Sequence, residues 1–233
     1  MTIPYVTDID PEYGKVVEVS PSVRRVIANN PGRFTFTGTG TYIIGRGQVA
    51  VIDPGPENDD HVAAILAGLP GEEISHIVVT HTHKDHSPAS RALQTATGAP
   101  IYGFGRHPVL PEEEVLRSKP TTWDILLPTP EELEELKKSM AFPSDDENEH
   151  EQDEPGDMAF NPDVEIGHGD LIKGGTWTLE AVHTPGHISN HLCFGFKEEK
   201  SLFSGDHVMG WSTSVIPSPE GAMGEYMDSL YLL

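Results

Sequence analysis

Apolar and polar residues alternate along the chain in short runs that predict both strands and helices. Residues 34–44 and 48–52 are rich in β-branched and aromatic side chains, and Gly45-Arg46-Gly47 between them predicts a β-hairpin. Residues 58–69 carry apolar side chains at helical spacing. The other predicted elements are strands 74–80, 100–102, 177–182, 191–196 and 201–204 and helices 89–97, 130–140 and 225–233. Strands in runs with helices between them favour a sheet-rich α/β fold over a helical bundle.

The length of 233 residues suits one domain with a buried core. The chain has 15 Lys and Arg against 37 Asp and Glu, a net charge of −22. This acid excess argues against a non-specific nucleic-acid or anionic-membrane surface, because such partners attract basic patches. No segment has transmembrane length, and residues 1–14 do not resemble a signal peptide. The one cysteine, Cys193, excludes an intrachain disulfide, so we expect a reducing, cytoplasmic location.

The acidic residues are concentrated in one segment. Residues 143–165 contain ten acidic residues and no Lys or Arg. A polar run of this kind buries too little surface to offset its ordering entropy, so we expect a mobile acidic insertion within a single domain of residues 1–233. An ordinary solvated loop is the alternative. In the predicted helix 225–233, apolar positions still repeat at the last residue, which predicts a domain truncated at its C-terminus.

Four metal-capable side chains follow the predicted strand 74–80. His81, His83, Asp85 and His86 lie within six residues. Imidazole nitrogen and carboxylate oxygen are ligands of zinc and similar divalent metals. Alternation in an extended segment places His81 and His83 on one side, and Asp85 and His86 can then face a second point nearby. A histidine-rich surface loop is the alternative, but the position at a strand end favours metal binding.

Two later strand ends add candidate ligands. Pro185 and Gly186 form a turn that can present His187 in a defined direction. The neighbouring His191 has two candidate roles. It can support a metal ligand by a hydrogen bond, or it can act as an acid that protonates a leaving group. Asp206 follows the strand 201–204 and is the carboxylate that can bridge two metals.

The three motifs resemble those of the metallo-beta-lactamase-fold hydrolases, over about residue 34 to the C-terminus. The resemblance implies a four-layer αββα sandwich lacking its C-terminal closing elements, with a metal site at one edge of its two sheets. It also implies a ligand set: His81, His83 and His187 for the first metal, Asp85 and His86 for the second, and Asp206 between them. The hydroxyacylglutathione-hydrolase-like and beta-lactamase-like protein 2 branches look closest. Dinuclear members supply a further histidine beyond the Gly-Asp motif, and no histidine follows His207.

The sequence therefore predicts a metal-dependent hydrolase, with two Zn²⁺ per chain and a second site that is weaker or incomplete. The expected reaction is attack by a metal-bound hydroxide, oriented by the catalytic Asp85, on a small-molecule thioester, ester or lactone. Iron and manganese are alternative metals. One alternative function is an endoribonuclease or phosphodiesterase, which needs a basic groove; the other is a metal-binding module without turnover. Substrate-binding residues and oligomeric state are not predicted.

Overall fold

The strands form two β-sheets, as the computed structural model of residues 5–109 and 156–233 shows. The first sheet contains, in spatial order, β1 (Val17–Ser20), β2 (Val23–Ile27), β3 (Gly40–Ile44), β4 (Gln48–Ile52), β5 (Glu73–Val78), β6 (Ile101–Gly103) and β7 (Val164–Glu165). The second sheet has the order β11 (Ser201–Phe203), β10 (Leu192–Phe196), β9 (Thr178–His183) and β8 (Leu171–Lys173). The helices are α1 (Asp59–Ala67), α2 (Ala89–Thr97) and α3 (Met223–Leu230).

The direction of the strands brings several chain segments to one edge of the first sheet. Strands β1 to β4 pair antiparallel, whereas β4, β5, β6 and β7 pair parallel. The carboxyl ends of parallel strands meet at the same edge of a sheet. The residues that follow β4 and β5 are therefore neighbours in space, although more than twenty residues separate them in sequence.

Helices α1 and α2 cover one face of the first sheet. Val62 and Ile65 of α1 and Leu93 of α2 pack with strand residues such as Val51 and Ile77, and all five are buried. Removal of each large apolar side chain from water contributes about 2 kcal/mol. Asn58 caps α1, because its side-chain oxygen accepts a hydrogen bond from the amide of His61 at 3.1 Å.

The second sheet packs on the other face of the first. Trp177, Phe194 and Leu179 of the second sheet and its flank meet Ile52 and Val78 of the first in a second buried cluster. Helix α3 lies against the loop that follows β9, where the hydroxyl of Ser229 donates to the carbonyl of Pro185 at 2.7 Å. The described residues thus form the helix, sheet and sheet layers of the predicted sandwich, and the α/β class with two sheets is confirmed.

The predicted first strand is too long. The hairpin is present as β3 and β4, but residues 34–39 form a loop. Phe36 has φ of 55° and Gly38 has φ of 131°, values that an extended strand does not contain. A Cβ atom on Gly38 would lie 1.9 Å from the carbonyl oxygen of Ala28, so the loop approaches the backbone of the neighbouring segment closely.

The predicted acidic insertion extends too far towards the C-terminus. Residues 143–155 and the predicted helix 130–140 lie outside the described residues. Residues 156–165 belong to the fold: Phe160 is buried in the core with α2, and β7 pairs with β6. Asp163 has a structural role here, since its carboxylate accepts a hydrogen bond from the amide of Ile101 at 2.8 Å. In the described residues, no helix is long and apolar enough to cross a membrane.

We predict that His61 makes the stability of the fold sensitive to acid. Burial lowers the pKa of His61 from its ordinary value of 6.5 to about 4. Between these values the unfolded chain binds a proton that the folded chain does not, so the free energy of unfolding falls as the pH falls from 6.5 to 4. The shift corresponds to about 3 kcal/mol at most.

The variant His61→Gln should remove this contribution. The hydroxyl of Thr41 donates to the carbonyl of Asp53, so it accepts from His61 Nε2 at 2.8 Å, a bond that a glutamine amide can replace. Denaturant unfolding at several pH values should show a flatter pH dependence for His61→Gln than for the unsubstituted protein. The same change at the exposed His168 is the control. Parallel curves for the protein and His61→Gln would contradict the prediction.

Candidate metal centre

The carboxylate of Asp53 joins the ends of β4 and β5. Its two oxygens accept hydrogen bonds from the amide and the hydroxyl of Thr80, at 2.8 and 2.7 Å. His86 Nδ1 also lies 2.9 Å from Asp53 Oδ2. Asp53 is buried and adopts φ of 49°, a conformation that is uncommon for residues other than glycine. The sequence analysis did not select Asp53 as a site residue. Its position directly after an apolar strand is the feature that could have indicated it.

Three predicted ligands form the first donor group. His81 Nε2 lies 3.1 Å from His83 Nδ1, and His187 Nε2 lies 2.9 Å from the same nitrogen. All three ligand atoms lie within 4.8 Å of one another. The loop after β5 supplies His81 and His83, and the turn after β9 supplies His187. The structure therefore brings together residues that are about 100 positions apart in the chain, as the motifs predicted.

The outer nitrogen of each imidazole has a partner that fixes its proton. The Thr80 hydroxyl donates to Asp53 and therefore accepts from His81 Nδ1 at 3.0 Å. The carbonyl of Val215 accepts from His187 Nδ1 at 2.6 Å, and the carboxylate of Glu220 accepts from His83 Nε2 at 3.2 Å. The nitrogens that face one another consequently carry lone pairs. Such a set fits a bound cation, because lone pairs at this distance repel without one.

Asp206 lies between this group and a second one. Its Oδ2 is 3.7 Å from His187 Nε2, and its Oδ1 is 3.3 Å from His86 Nε2. Asp85 Oδ2 lies 3.2 Å from the same His86 nitrogen. The second group of atoms within 4.8 Å of one another consists of His81, His86 and Asp206, with Asp85 beside His86. The geometry thus places all six predicted ligands in one cluster.

The charged side chains of the cluster shift one another's pKa values. Burial lowers the pKa of His86, but the carboxylates of Asp85, Asp206 and Asp53 outweigh burial and raise it well above its usual value. Burial raises the pKa of Asp85, but His86 outweighs it and lowers that pKa below its usual range. Burial lowers the pKa of His81. The carboxylates therefore favour positive charge on His86, while burial disfavours the charged form of His81.

A loop of the first sheet fixes the orientation of Asp85. The hydroxyl of Thr39 donates to Asp85 Oδ2 at 2.7 Å. The side-chain oxygen of Asn30 in turn accepts from the amide of Thr39 at 3.0 Å. The predicted catalytic carboxylate is thus held from outside the histidine motif, by residues that no sequence motif indicated.

His191 is buried and both of its ring nitrogens have partners. Nε2 accepts a hydrogen bond from the amide of Asp206 at 3.2 Å, so Nδ1 carries the proton and donates to Thr184 Oγ1 at 2.9 Å. A Cβ atom on Gly205 would lie 2.7 Å from His191 Nε2, so the chain before Asp206 passes close to the ring. This geometry supports a role in positioning Asp206 and leaves no ring nitrogen for a leaving group.

A second network of side chains supports His83. Glu220 lies beside both His83 and His107, and its Oε1 is 3.4 Å from His107 Nε2. Hydrogen bonds from His107 and His83 lower the pKa of Glu220 to about 2. Thr82 accepts from Asn190 at 2.8 Å and donates to His107 Nδ1 at 2.8 Å, which leaves His107 Nε2 to donate to Glu220. No sequence motif indicated Glu220 or His107, because their contacts form only in the folded chain.

A cavity of about 570 Å³ adjoins the second donor group. Asp85, His86 and Asp206 are among its lining residues. Apolar and aromatic side chains line much of the rest, including Phe34, Phe36, Tyr42, Phe203, Met209 and Trp211. The rings of Phe36 and Trp211 stack with centroids 5.2 Å apart. The cavity therefore offers an apolar compartment next to the metal centre.

The described Lys and Arg residues give little support for the basic groove that an endoribonuclease or phosphodiesterase needs. Arg24 is buried in an ion pair with Glu72, and Arg91 lies 3.9 Å from the carboxylate of Asp163. Among the described residues, Arg25 is the only Lys or Arg that lines the cavity. Arg117 and Lys119 lie outside the described residues.

Comparison with known proteins agrees with the motifs. The model of the metallo-beta-lactamase superfamily matches residues 35–232. The chain is 30% identical over 211 residues to a protein named atrochrysone carboxyl ACP thioesterase from Cryptosporiopsis sp., which covers 88% of this chain and 49% of that protein. The chain spans about half the length of the curated relatives it matches.

Solved structures show the same fold. A beta-lactamase domain protein from Burkholderia ambifaria has a TM-score of 0.64 at 18% identity, covering 97% of this chain and 68% of that chain. TTHA1623, described in a di-iron-bound form, has a TM-score of 0.56 at 20% identity, covering 89% of this chain and 84% of that one. The narrower resemblance to the hydroxyacylglutathione-hydrolase-like branch stays a prediction. Because the family model spans most of the sequence, this chain belongs to the metallo-beta-lactamase superfamily.

Proposed function

We propose that this chain hydrolyses acyl thioesters with metal ions held by its two donor groups. The observation that carries the proposal is the convergence of three lone-pair nitrogens, those of His81, His83 and His187, beside the carboxylate of Asp206. The adjoining apolar cavity supplies a place for an acyl group. The name of the Cryptosporiopsis relative, a carboxyl ACP thioesterase, supports a thioester over an ester or lactone.

The donor set indicates how metals would be held. We assign His81, His83 and His187 to one ion, Asp85 and His86 to another, and Asp206 to both. Zinc is our proposal for both ions; imidazole and carboxylate also suit iron and manganese, and one structural neighbour is described with two irons. When bound, such ions supply a Lewis acid for the thioester carbonyl and lower the pKa of water.

The protein's own residues hold and orient the reacting groups. Asp85 lines the cavity while Thr39 fixes its carboxylate, so Asp85 can accept a hydrogen bond from the attacking water and direct it. Asp53 fixes the ring of His86, and His191 fixes the backbone of Asp206. In the reaction a carbon–oxygen bond to water forms, the carbon–sulfur bond breaks, and a proton passes to the sulfur.

Removal of metal should abolish the activity. Prolonged treatment with a chelator, followed by its removal, should lower the rate of hydrolysis of an acyl N-acetylcysteamine thioester by at least about 100-fold, because the proposed reaction uses water activated by the metal ions as its nucleophile. Separate addition of Zn²⁺, Mn²⁺ or Fe²⁺ should restore the rate and identify the effective metal. Elemental analysis should find two ions per chain. Full turnover by metal-free protein would contradict the proposal.

Glu220 should contribute to metal affinity through His83. Glu220→Gln replaces the acceptor of the His83 Nε2 proton with a neutral amide, so Zn²⁺ affinity should fall by about 10-fold to 100-fold. Competition with a chromophoric chelator measures this affinity. Glu225→Gln removes the same charge from an exposed position in α3 and is the matched control. Equal affinities for the two variants would show that Glu220 does not position His83.

A further inference from the structure

Among the side chains that line the cavity is one positive charge, that of Arg25, to which the proposed chemistry gives no role. Arg25 lies in β2, half-buried, and its side chain faces the cavity. It is paired in register with Tyr42 of β3, which also lines the cavity. No acidic side chain among the described residues pairs with Arg25.

The neighbouring arginine shows how unusual this arrangement is. Arg24 points to the opposite face of β2, where it is buried and pairs with Glu72 and with the carbonyl of Gly45. The carboxylates that line the cavity already have partners: Asp53 and Asp206 contact His86, and Asp85 contacts both His86 and Thr39. A half-buried guanidinium with no carboxylate beside it can form a charge-assisted pair with an anionic group that a ligand brings into the cavity.

The other residues that line the cavity determine the surroundings of a ligand that pairs with Arg25. Phe36 and Trp211 stack on one another, and Tyr42 contacts Phe203 with ring centroids 5.3 Å apart. Rings of this kind offer flat apolar surface to an aromatic or extended apolar group. The volume of about 570 Å³ lies within the range of small-molecule sites. Asp85 and Asp206 also line the cavity, so a group that fills it can place its carbonyl beside the candidate metal ligands.

We propose that this cavity binds the acyl part of the substrate and that Arg25 pairs with an anionic group on it. The preferred substrate is then a thioester whose acyl group is aromatic or largely apolar and carries a carboxylate or phenolate away from the reacting carbonyl. This inference rests on the proposed thioesterase function. The anionic group takes no part in the hydrolysis and is unchanged by it.

A pair of substrates that differ only in charge tests the inference. One is the N-acetylcysteamine thioester of 4-carboxyphenylacetic acid, attached through the acetic acid group, and the other is its 4-methyl ester. The protein should show a kcat/KM about tenfold higher for the anionic member, the size expected of one charge-assisted pair in a partly desolvated site. In Arg25→Gln this preference should disappear because kcat/KM falls for the anionic thioester alone. Arg25→Lys should keep part of it.

Arg33→Gln is the matched control. Arg33 is exposed and lies over the ring of Phe34, at 4.9 Å, so the variant removes one positive charge near the cavity without changing Arg25. It should keep the tenfold preference. Equal loss of preference in Arg33→Gln and Arg25→Gln would overturn the inference. The preference would then come from the electrostatic potential around the cavity and not from a pair with Arg25. Thermal unfolding of each variant shows whether it is folded.

A binding measurement separates this inference from the proposed function. Calorimetric titration with the free products, 4-carboxyphenylacetic acid and its 4-methyl ester, should show about tenfold tighter binding of the diacid, and Arg25→Gln should remove the difference. This result would support the inference even if no thioester were hydrolysed. Equal binding of the two products by the unsubstituted protein would overturn it, even if neutral thioesters were hydrolysed in a metal-dependent way.

A third comparison tests whether Arg25 instead recognises the thiol part of the substrate. Thioesters of pantetheine and of 4′-phosphopantetheine with the same neutral acyl group differ by one phosphate on the thiol arm. The ratio of their kcat/KM values should be the same for the protein and for Arg25→Gln. A ratio that changes in Arg25→Gln would place the phosphate at Arg25 and overturn the assignment to the acyl group.

Discussion

The arrangement of the candidate metal centre depends on the carboxylate of Asp53. Parallel pairing of β4 and β5 places Asp53 beside Thr80, and the carboxylate accepts three hydrogen bonds, two from Thr80 and one from His86. Because the Thr80 hydroxyl donates to Asp53, it must accept from His81. One carboxylate therefore fixes the proton positions of two predicted ligands, His81 and His86. To reach this position Asp53 adopts a left-handed backbone conformation, which is strained for a residue other than glycine.

The same network makes folding and metal binding depend on each other. The fold holds the lone pairs of His81, His83 and His187 towards one another and places the half-buried carboxylate of Asp206 beside them. The facing lone pairs are unfavourable without positive charge between them. A cation that binds only the folded chain offsets this repulsion, so its binding free energy adds to the stability of the fold. Outer acceptors such as Glu220 then contribute to stability as well as to metal affinity.

The sequence indicated the members of the candidate donor groups better than it indicated the residues that support them. His81, His83, Asp85, His86, His187 and Asp206 come together in the structure, and each stands at a strand end within a short motif. Thr39, Asp53 and Glu220 were missed because their partners are 46, 27 and 137 residues away, and no local pattern records such contacts. The prediction of a strand over residues 34–39 and of an insertion reaching residue 165 failed for a related reason. Tertiary contacts of Gly38 and Phe160 override the local composition.

Net charge describes this molecule less well than local charge does. A chain with a net charge of −22 repels an anionic substrate at long range, which lowers the association rate. At physiological ionic strength this repulsion is screened beyond about 8 Å. An acyl group that enters the cavity would leave bulk water, and Arg25 is the one Lys or Arg among the described residues that lines the cavity. Under the proposed acyl assignment, selection among acyl groups is governed by that cation and the surrounding rings, while the acidic surface affects how often a substrate arrives.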